Sequence, residues 1–180
     1  MLHTLWQIDA GILLWIQDNV RNDFLTPVMK FITKTGNIGF IWIFLTVAFL
    51  CFQKTRKTGT LMACSLGGAF VINNLILKNL VARTRPYEVI DGLHLMVSKA
   101  VDLSFPSGHT GSSFATAVVM FIMLPKKYGV PALIYAFLMG FSRLYIGIHY
   151  PTDVLCGGII GTLVAITVCT VYKKKFQAKE

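Results

Sequence analysis

Three short polar groups interrupt an otherwise apolar chain, and their residue types point to one chemistry. They are Lys78-Asn-Leu-Val-Ala-Arg-Thr-Arg85-Pro86, then Pro106-Ser107-Gly108-His109, then Ser142-Arg143 followed by His149 and Asp153. Lys78, Arg85 and Arg143 supply three fixed positive charges, a set suited to a dianionic or trianionic group. An arginine fork matches a phosphoryl group in shape as well as in charge. Arg85 precedes a proline, so it is expected to be extended and to point off a helix end. Ser107 is a good N-cap, and backbone N–H groups at a helix start form an anion site, which Gly108 would let a phosphate approach closely. His149 and Asp153 are four residues apart, and Pro151 between them suits the first position of a helix. From that first turn Asp153 can reach back to one nitrogen of His149. It would fix the tautomer and stabilise the imidazolium, leaving the other nitrogen free to attack.

Such groups need elements that bring them together, and here those elements are membrane helices. The chain is 54% hydrophobic and 14% charged, against roughly 25% charged in an average soluble domain. Five apolar stretches, about 39–52, 59–77, 107–124, 130–145 and 153–172, are candidate spans. Several fall short of the ~20 residues a full span needs, as expected if their polar ends line a protein-buried site near one interface. Nine of the seventeen lysines and arginines form three clusters: Lys54, Arg56 and Lys57; Lys126 and Lys127; and Lys173, Lys174, Lys175 and Lys179. Each cluster abuts the end of an apolar run, where the positive-inside bias puts cytoplasmic lysines and arginines. The net charge of +9 therefore reads as topology and not as a nucleic-acid surface. With all three clusters inside, all three polar groups fall at the outer ends of their helices.

The first 36 residues carry two amphipathic helix patterns. Leu5, Ile8, Ile12, Trp15 and Ile16 form one, and Phe24, Leu25, Val28, Met29 and Ile32 the other, with Thr26-Pro27 reading as a cap and first helical position. They either lie in the outer interface, leaving the N-terminus outside, or pack against the bundle. Cys51, Cys64, Cys156 and Cys169 match no zinc or redox spacing and read as packing residues. Gly157 and Gly161 permit close helix packing. Arg83 reads as a topology signal, and His3 and His94 as solvated loop histidines. No removable signal peptide is apparent. The expected fold is an all-α, polytopic membrane helix bundle of about five transmembrane helices preceded by amphipathic N-terminal helices. It forms one domain over 1–180, with 1–36 interfacial and 37–172 the transmembrane bundle.

Eleven specified positions, in the pattern K-x6-RP, PSGH and SR-x5-H-x3-D, occur in order. In them the sequence resembles the type 2 phosphatidic acid phosphatases, a family sharing a fold core with vanadium haloperoxidases and bacterial acid phosphatases. The resemblance runs from Lys78 to Asp153. It implies that His149 is the nucleophile forming a phosphohistidine, with Asp153 its orienting partner. It implies that His109 is the general acid that protonates the leaving oxygen and later activates water. Lys78, Arg85, Arg143, Ser107 and Gly108 become the phosphate cradle, with no metal or other cofactor. The implied substrate is a lipid phosphate: undecaprenyl diphosphate, phosphatidylglycerol phosphate or phosphatidic acid. Membrane lipids are then partners, nucleic acid is not, and oligomeric state is left open. The implied location is the cell membrane, multi-pass, with the site on the extracytoplasmic face. The loop 87–104, with Glu88, Asp91, His94 and Lys99, is expected to contact the head group. The alternatives are a phosphotransferase using the same histidine, a haloperoxidase, and a non-catalytic scaffold. A haloperoxidase gains nothing from five spans, and a scaffold has no need of His109, His149 and Asp153 together. One departure stands out: members commonly have six spans with both termini cytoplasmic, whereas five spans and an external N-terminus are read here.

The topology has a direct test. Cysteines introduced near Lys99 should react with an impermeant thiol reagent on intact cells, and those near Lys127 and Lys174 should not. External labelling at position 127 would overturn the orientation.

Overall fold

The computed structural model describes residues 2–177; Lys179 and the side chain of His3 lie outside the described residues. Among the described residues all regular structure is helical. Helix α1 (Leu2–Asn19) turns into α2 (Leu25–Thr35). The side chain that closes the start of α2 belongs to Asn22, whose Oδ1 accepts the Leu25 N–H at 2.8 Å. Thr26 does not cap: its hydroxyl donates back to the Asn22 carbonyl, and Pro27 falls at the third helical position. A 3-10 turn (Asn37–Gly39), with Ile38 at φ 56° and Gly39 at φ 72°, bends the chain into α3 (Phe40–Cys51).

Helix α4 (Arg56–Phe70) continues through a π-helical stretch (Val71–Leu77) into α5 (Lys78–Val81), which ends on Ala82 in the left-handed region at φ 48°. A short α6 (Pro86–Val89) and a loop lead to α7 (Gly108–Met123), α8 (Lys126–Tyr145) and α9 (Pro151–Tyr172). Each stretch expected to span is thus helical. By length and apolar content two segments qualify as membrane spans, Arg56–Val89 and Pro151–Lys175, with a third if Leu25–Thr35 and Asn37–Cys51, bent by 54°, act as one. Helix α7 falls short because it has only 16 residues, and α8 because Lys126, Lys127, Pro131 and Arg143 dilute it.

Small residues decide the packing. A Cβ on Gly161 would stand 2.3 Å from the Gly111 carbonyl oxygen, and one on Gly157 would stand 2.5 Å from that of Ser107. The backbones of α9 and α7 therefore touch, as in close helix crossings built on small residues. Across the same contact the Ser107 N–H donates to the Asp153 carbonyl at 3.1 Å. Around α7, the buried side chains Trp42, Met62, Val119, Ala136 and Ala165 join α3, α4, α8 and α9 in one apolar core. The Trp42 indole finds its partner there in Ser113 Oγ at 2.7 Å.

Chain direction puts the start of α4, the α7–α8 connection and the end of α9, each beside a basic cluster, at one end of the bundle. Lys57 lies over the Tyr172 ring, 5.0 Å from its centroid, at that end. The opposite end carries the polar groups, and α1 and α2 lie against it. Most of the α1 stripe faces away from the bundle, with Leu5, Ile8 and Trp15 at 47, 53 and 60% exposure, while its last member, Ile16, is buried. The buried face is Asp9, Ala10, Leu13 and Ile16, so α1 docks through a carboxylate and lays its bulkiest residues outward. A helix partly immersed in an acyl boundary has that arrangement.

Two glycine substitutions separate close contact from helix propensity. Gly161→Ala pushes a methyl group into backbone that cannot give way, and should destabilise by about 1–3 kcal/mol. Gly67→Ala meets open space and should be neutral or stabilising by about 0.5–1 kcal/mol. Thermal melts of the detergent-purified variants check both; equal melting temperatures would refute the contact.

Candidate active site

A cavity of about 1210 Å³ opens at the polar end, and Lys78, Arg85, Gly108, His109, Arg143 and His149 all line it. Each has a local reason to be there. The π-helical stretch precedes Lys78, and Lys78 is buried. Arg85 is extended before Pro86 (φ −76°, ψ 149°) and caps α6. Gly108 and His109 form the first turn of α7, where backbone N–H groups lack intrahelical partners. Arg143 lies in the last turn of α8, and His149 sits in the turn that Pro151 closes at the start of α9. Ser107 is placed behind the wall. Its Oγ pairs with Thr110 Oγ1 at 2.9 Å and caps α7, while its N–H is taken by Asp153. The space left by the missing side chain of Gly108 is filled by Asn74, whose Oδ1 would be 2.9 Å from a Cβ there.

The loop after α6 contributes a residue that the motifs do not contain. Asp102 bridges two cations, with Oδ2 2.5 Å from Lys78 Nζ and Oδ1 2.6 Å from Arg85 Nη2. Partial burial would raise this carboxyl, but hydrogen bonding and charge from Lys78, and then from Arg85, outweigh it and hold it down at about 2. Glu88 in α6 and Asp91, His94 and Lys99 of the loop are exposed. His94 contributes backbone only, its carbonyl accepting from Arg21 at 2.8 Å.

Hydrogen-bond donors fix the tautomer of His149. Arg85 Nη1 lies 3.3 Å from its Nε2, and a guanidinium can only donate, so Nε2 carries the lone pair. Nδ1 then holds the proton and faces Asp153 Oδ2 at 3.4 Å. Burial pushes the imidazole down to about 4, against the pull of Asp153, so it is neutral at pH 7. Asp153 is fully buried; Oδ2 also accepts from Ser104 Oγ and from the Tyr150 N–H at 3.0 Å, and Oδ1 accepts from Arg83 Nη1 at 2.8 Å.

The N-terminal helices complete the walls. Arg143 Nη1 donates to Thr33 Oγ1 on α2, and His109 Nε2 lies 3.3 Å from Asn37 Oδ1 in the bend that follows. The buried Nε of Arg143, both polar side-chain atoms of Asn73 and Oδ1 of Asn74 have no partner among the described residues. Among the described residues no three histidine, cysteine or carboxylate side chains are grouped as metal ligands would be. Part of the lining is apolar, and Ile38, Ile43, Phe70 and Leu75 there are also exposed on the outside of the molecule.

Motif reading misses Asp9, Thr33, Asn37, Arg83, Ser104 and Asp102 as site neighbours. Asp9 alone carries a usable signal: it lies four residues before Leu13 and seven before Ile16, a carboxylate on the buried face of a helix.

Known proteins resemble this chain in sequence and in fold. The family profile described as the PAP2 superfamily matches residues 58–177. A protein of Sulfolobus acidocaldarius named undecaprenyl-diphosphatase is 33% identical over 141 residues, covering 78% of this chain and 68% of that one. The crystal structure of Aquifex aeolicus LpxE superposes with a TM-score of 0.81 at 24% identity, covering 91% of this chain and 95% of that one. That of a transmembrane PAP2 type phosphatidylglycerolphosphate phosphatase from Bacillus subtilis gives 0.78 at 27%, covering 96% and 88%. The profile runs through every motif that lines the cavity and matches well over half of the sequence: the chain belongs to the PAP2 superfamily.

Proposed function

We propose that this protein is a metal-independent lipid phosphatase of the cell membrane that hydrolyses a lipid diphosphate at its extracytoplasmic face through a phosphohistidine. One observation carries the reading: a buried His149 turns its Nε2, 3.3 Å from Arg85 Nη1, to a cavity lined by Lys78, Arg85 and Arg143. The nucleophile, the charge stabilisers and room for a head group coincide. The exposed apolar rim supports a substrate whose tail stays in the bilayer. The basic clusters at the opposite end support the orientation. The Sulfolobus relative's name supports a diphosphate.

In this mechanism His149 Nε2 attacks phosphorus while the bond to the leaving oxygen breaks, and His109 gives that oxygen its proton. Water then attacks the phosphohistidine, losing its proton to His109, and the N–P bond breaks to release phosphate. Lys78, Arg85, Arg143 and the N–H groups at the start of α7 stabilise the equatorial oxygens, supplying the charge neutralisation that a metal ion provides elsewhere. Asp153 holds Nδ1–H and stabilises the imidazolium, and Ser107 serves as the cap that sets the start of α7.

Phosphate release in EDTA from undecaprenyl diphosphate, phosphatidylglycerol phosphate and phosphatidate tests the reading, the diphosphate giving the highest kcat/KM. Activity that requires added Mg²⁺ would overturn it. His149→Ala should fall to background. His109→Ala should lose about 10²–10⁴-fold, and less with a nitrophenyl phosphate, whose leaving group needs no proton. Acid-labile phosphoenzyme trapped in His149→Ala but not in His109→Ala would reverse the two roles.

Asp102 occupies donors that the phosphate needs. Asp102→Asn removes a competing anion, so vanadate and inorganic phosphate should inhibit at lower concentrations than in the wild type. Weaker inhibition would mean that Asp102 serves to hold the cations in place.

A further inference from the structure

We infer that Arg83 and Asp9 are positioning residues for the reaction, forming a charge relay that sets the orientation and basicity of His149 from helix α1. The inference rests on the reading of His149 as the nucleophile. Arg83 lies outside the K-x6-RP positions, yet its guanidinium joins two buried carboxylates: Nη1 donates to Asp153 Oδ1 at 2.8 Å and Nη2 to Asp9 Oδ2 at 2.7 Å. The guanidinium also lies over the Tyr150 ring, 3.6 Å from its centroid, and donates to Thr152 Oγ1 at 2.7 Å. Asp9 is fixed in turn by the first turn of α9, accepting the Thr152 N–H at 3.0 Å and the Thr152 hydroxyl. The chain of contacts runs Asp9, Arg83, Asp153, His149, with charges alternating from negative to positive to negative.

Alternation gives each member a sign. Asp153 raises the proton affinity of His149. Arg83 opposes that by drawing charge from Asp153, and Asp9 opposes Arg83. Salt-bridge geometry also locks the rotamer of Asp153: with Oδ2 shared among His149, Ser104 and Tyr150, the Arg83 contact on Oδ1 fixes the carboxylate plane. An arginine reaches both carboxylates at once, which a lysine point charge does not. Arg85, Arg143, Lys78, His109 and Asp102 line the same cavity as His149, and their charges are common to every variant below.

The experiment is the pH profile of kcat/KM for Asp9→Asn, Arg83→Gln and the double variant, with fold checked by thermal melts in detergent. The acid limb, where His149 protonates, should move to higher pH in Arg83→Gln and to lower pH in Asp9→Asn. In the double variant it should match Arg83→Gln, because Asp9 acts only through Arg83. Arg83→Gln should also lower kcat by about 10²-fold at unchanged KM, the cost of a misplaced reacting group. Loss of fold would lower activity without shifting the limb in opposite directions. If Arg83→Gln does not fold, Asp9→Asn decides alone, since amide and carboxylate are isosteric. Limbs that stay put, or move the same way in both single variants, overturn the relay. A wild-type profile insensitive to His149→Ala would instead overturn the catalytic reading beneath it.

Discussion

The backbone contact between α7 and α9 is the constraint on which the rest depends. Gly157 and Gly161 let two helices approach until the carbonyl oxygens of Ser107 and Gly111 fill the space of absent side chains, and Gly111 on the facing helix leaves its own space to the Asn73 side chain. That approach lets Ser107 N–H reach the Asp153 carbonyl. Two helix N-termini, each with its positive dipole end, are thereby fixed side by side beside the cavity. A side chain at Gly161 would move α9, and with it His149 and Asp153, away from the first turn of α7. The glycines are therefore part of the site although none of the three takes part in its chemistry.

Concentrating positive charge in a low-dielectric end of a bundle is costly, and the structure answers with carboxylates placed one by one. Lys78, Arg83, Arg85 and Arg143 stand against Asp9, Asp102 and Asp153. Breaking a buried pair by removing one partner typically costs about 3–5 kcal/mol, because the other charge is left uncompensated. Arg143 is the exception, meeting the hydroxyl of Thr33 rather than an acid and keeping a buried Nε unpaired. Its charge is the least neutralised of the four, which makes it the strongest standing attractor for an anion.

The fold class and the converging polar groups are legible in the sequence because both are written in local terms. Apolar runs and flanking lysines define the helices, and caps such as Ser107 and Pro151 mark where they begin. Apart from the helical spacing of Asp9 with Leu13 and Ile16, the contributions of α1 and α2 are not legible, because they arise from tertiary docking. The stripe of Leu5, Ile8, Ile12, Trp15 and Ile16 dominates the α1 pattern, yet of these only Ile16 is on the docking face, which otherwise carries Asp9, Ala10 and Leu13. Asp102 is missed for a similar reason: on a loop without periodicity, nothing local distinguishes it from Glu88 or Asp91, which are exposed. The start of α2 is misread because Asn22 reaches across the turn to Leu25, a competition between two capping side chains that the residue types leave undecided.

The rim formed by Ile38, Ile43, Phe70 and Leu75 leaves the cavity open along an exposed apolar side. Withdrawing a hydrocarbon tail from a bilayer costs about 0.8 kcal/mol per methylene. A cavity open along that rim never asks for the withdrawal, since only the head leaves the leaflet plane. Encounter then becomes a two-dimensional search, governed by the number of substrate molecules per lipid and not per volume of solvent. The dephosphorylated or shortened product is already in the phase where it diffuses, so its release is a sideways step within the membrane, and tail length drops out of the rate.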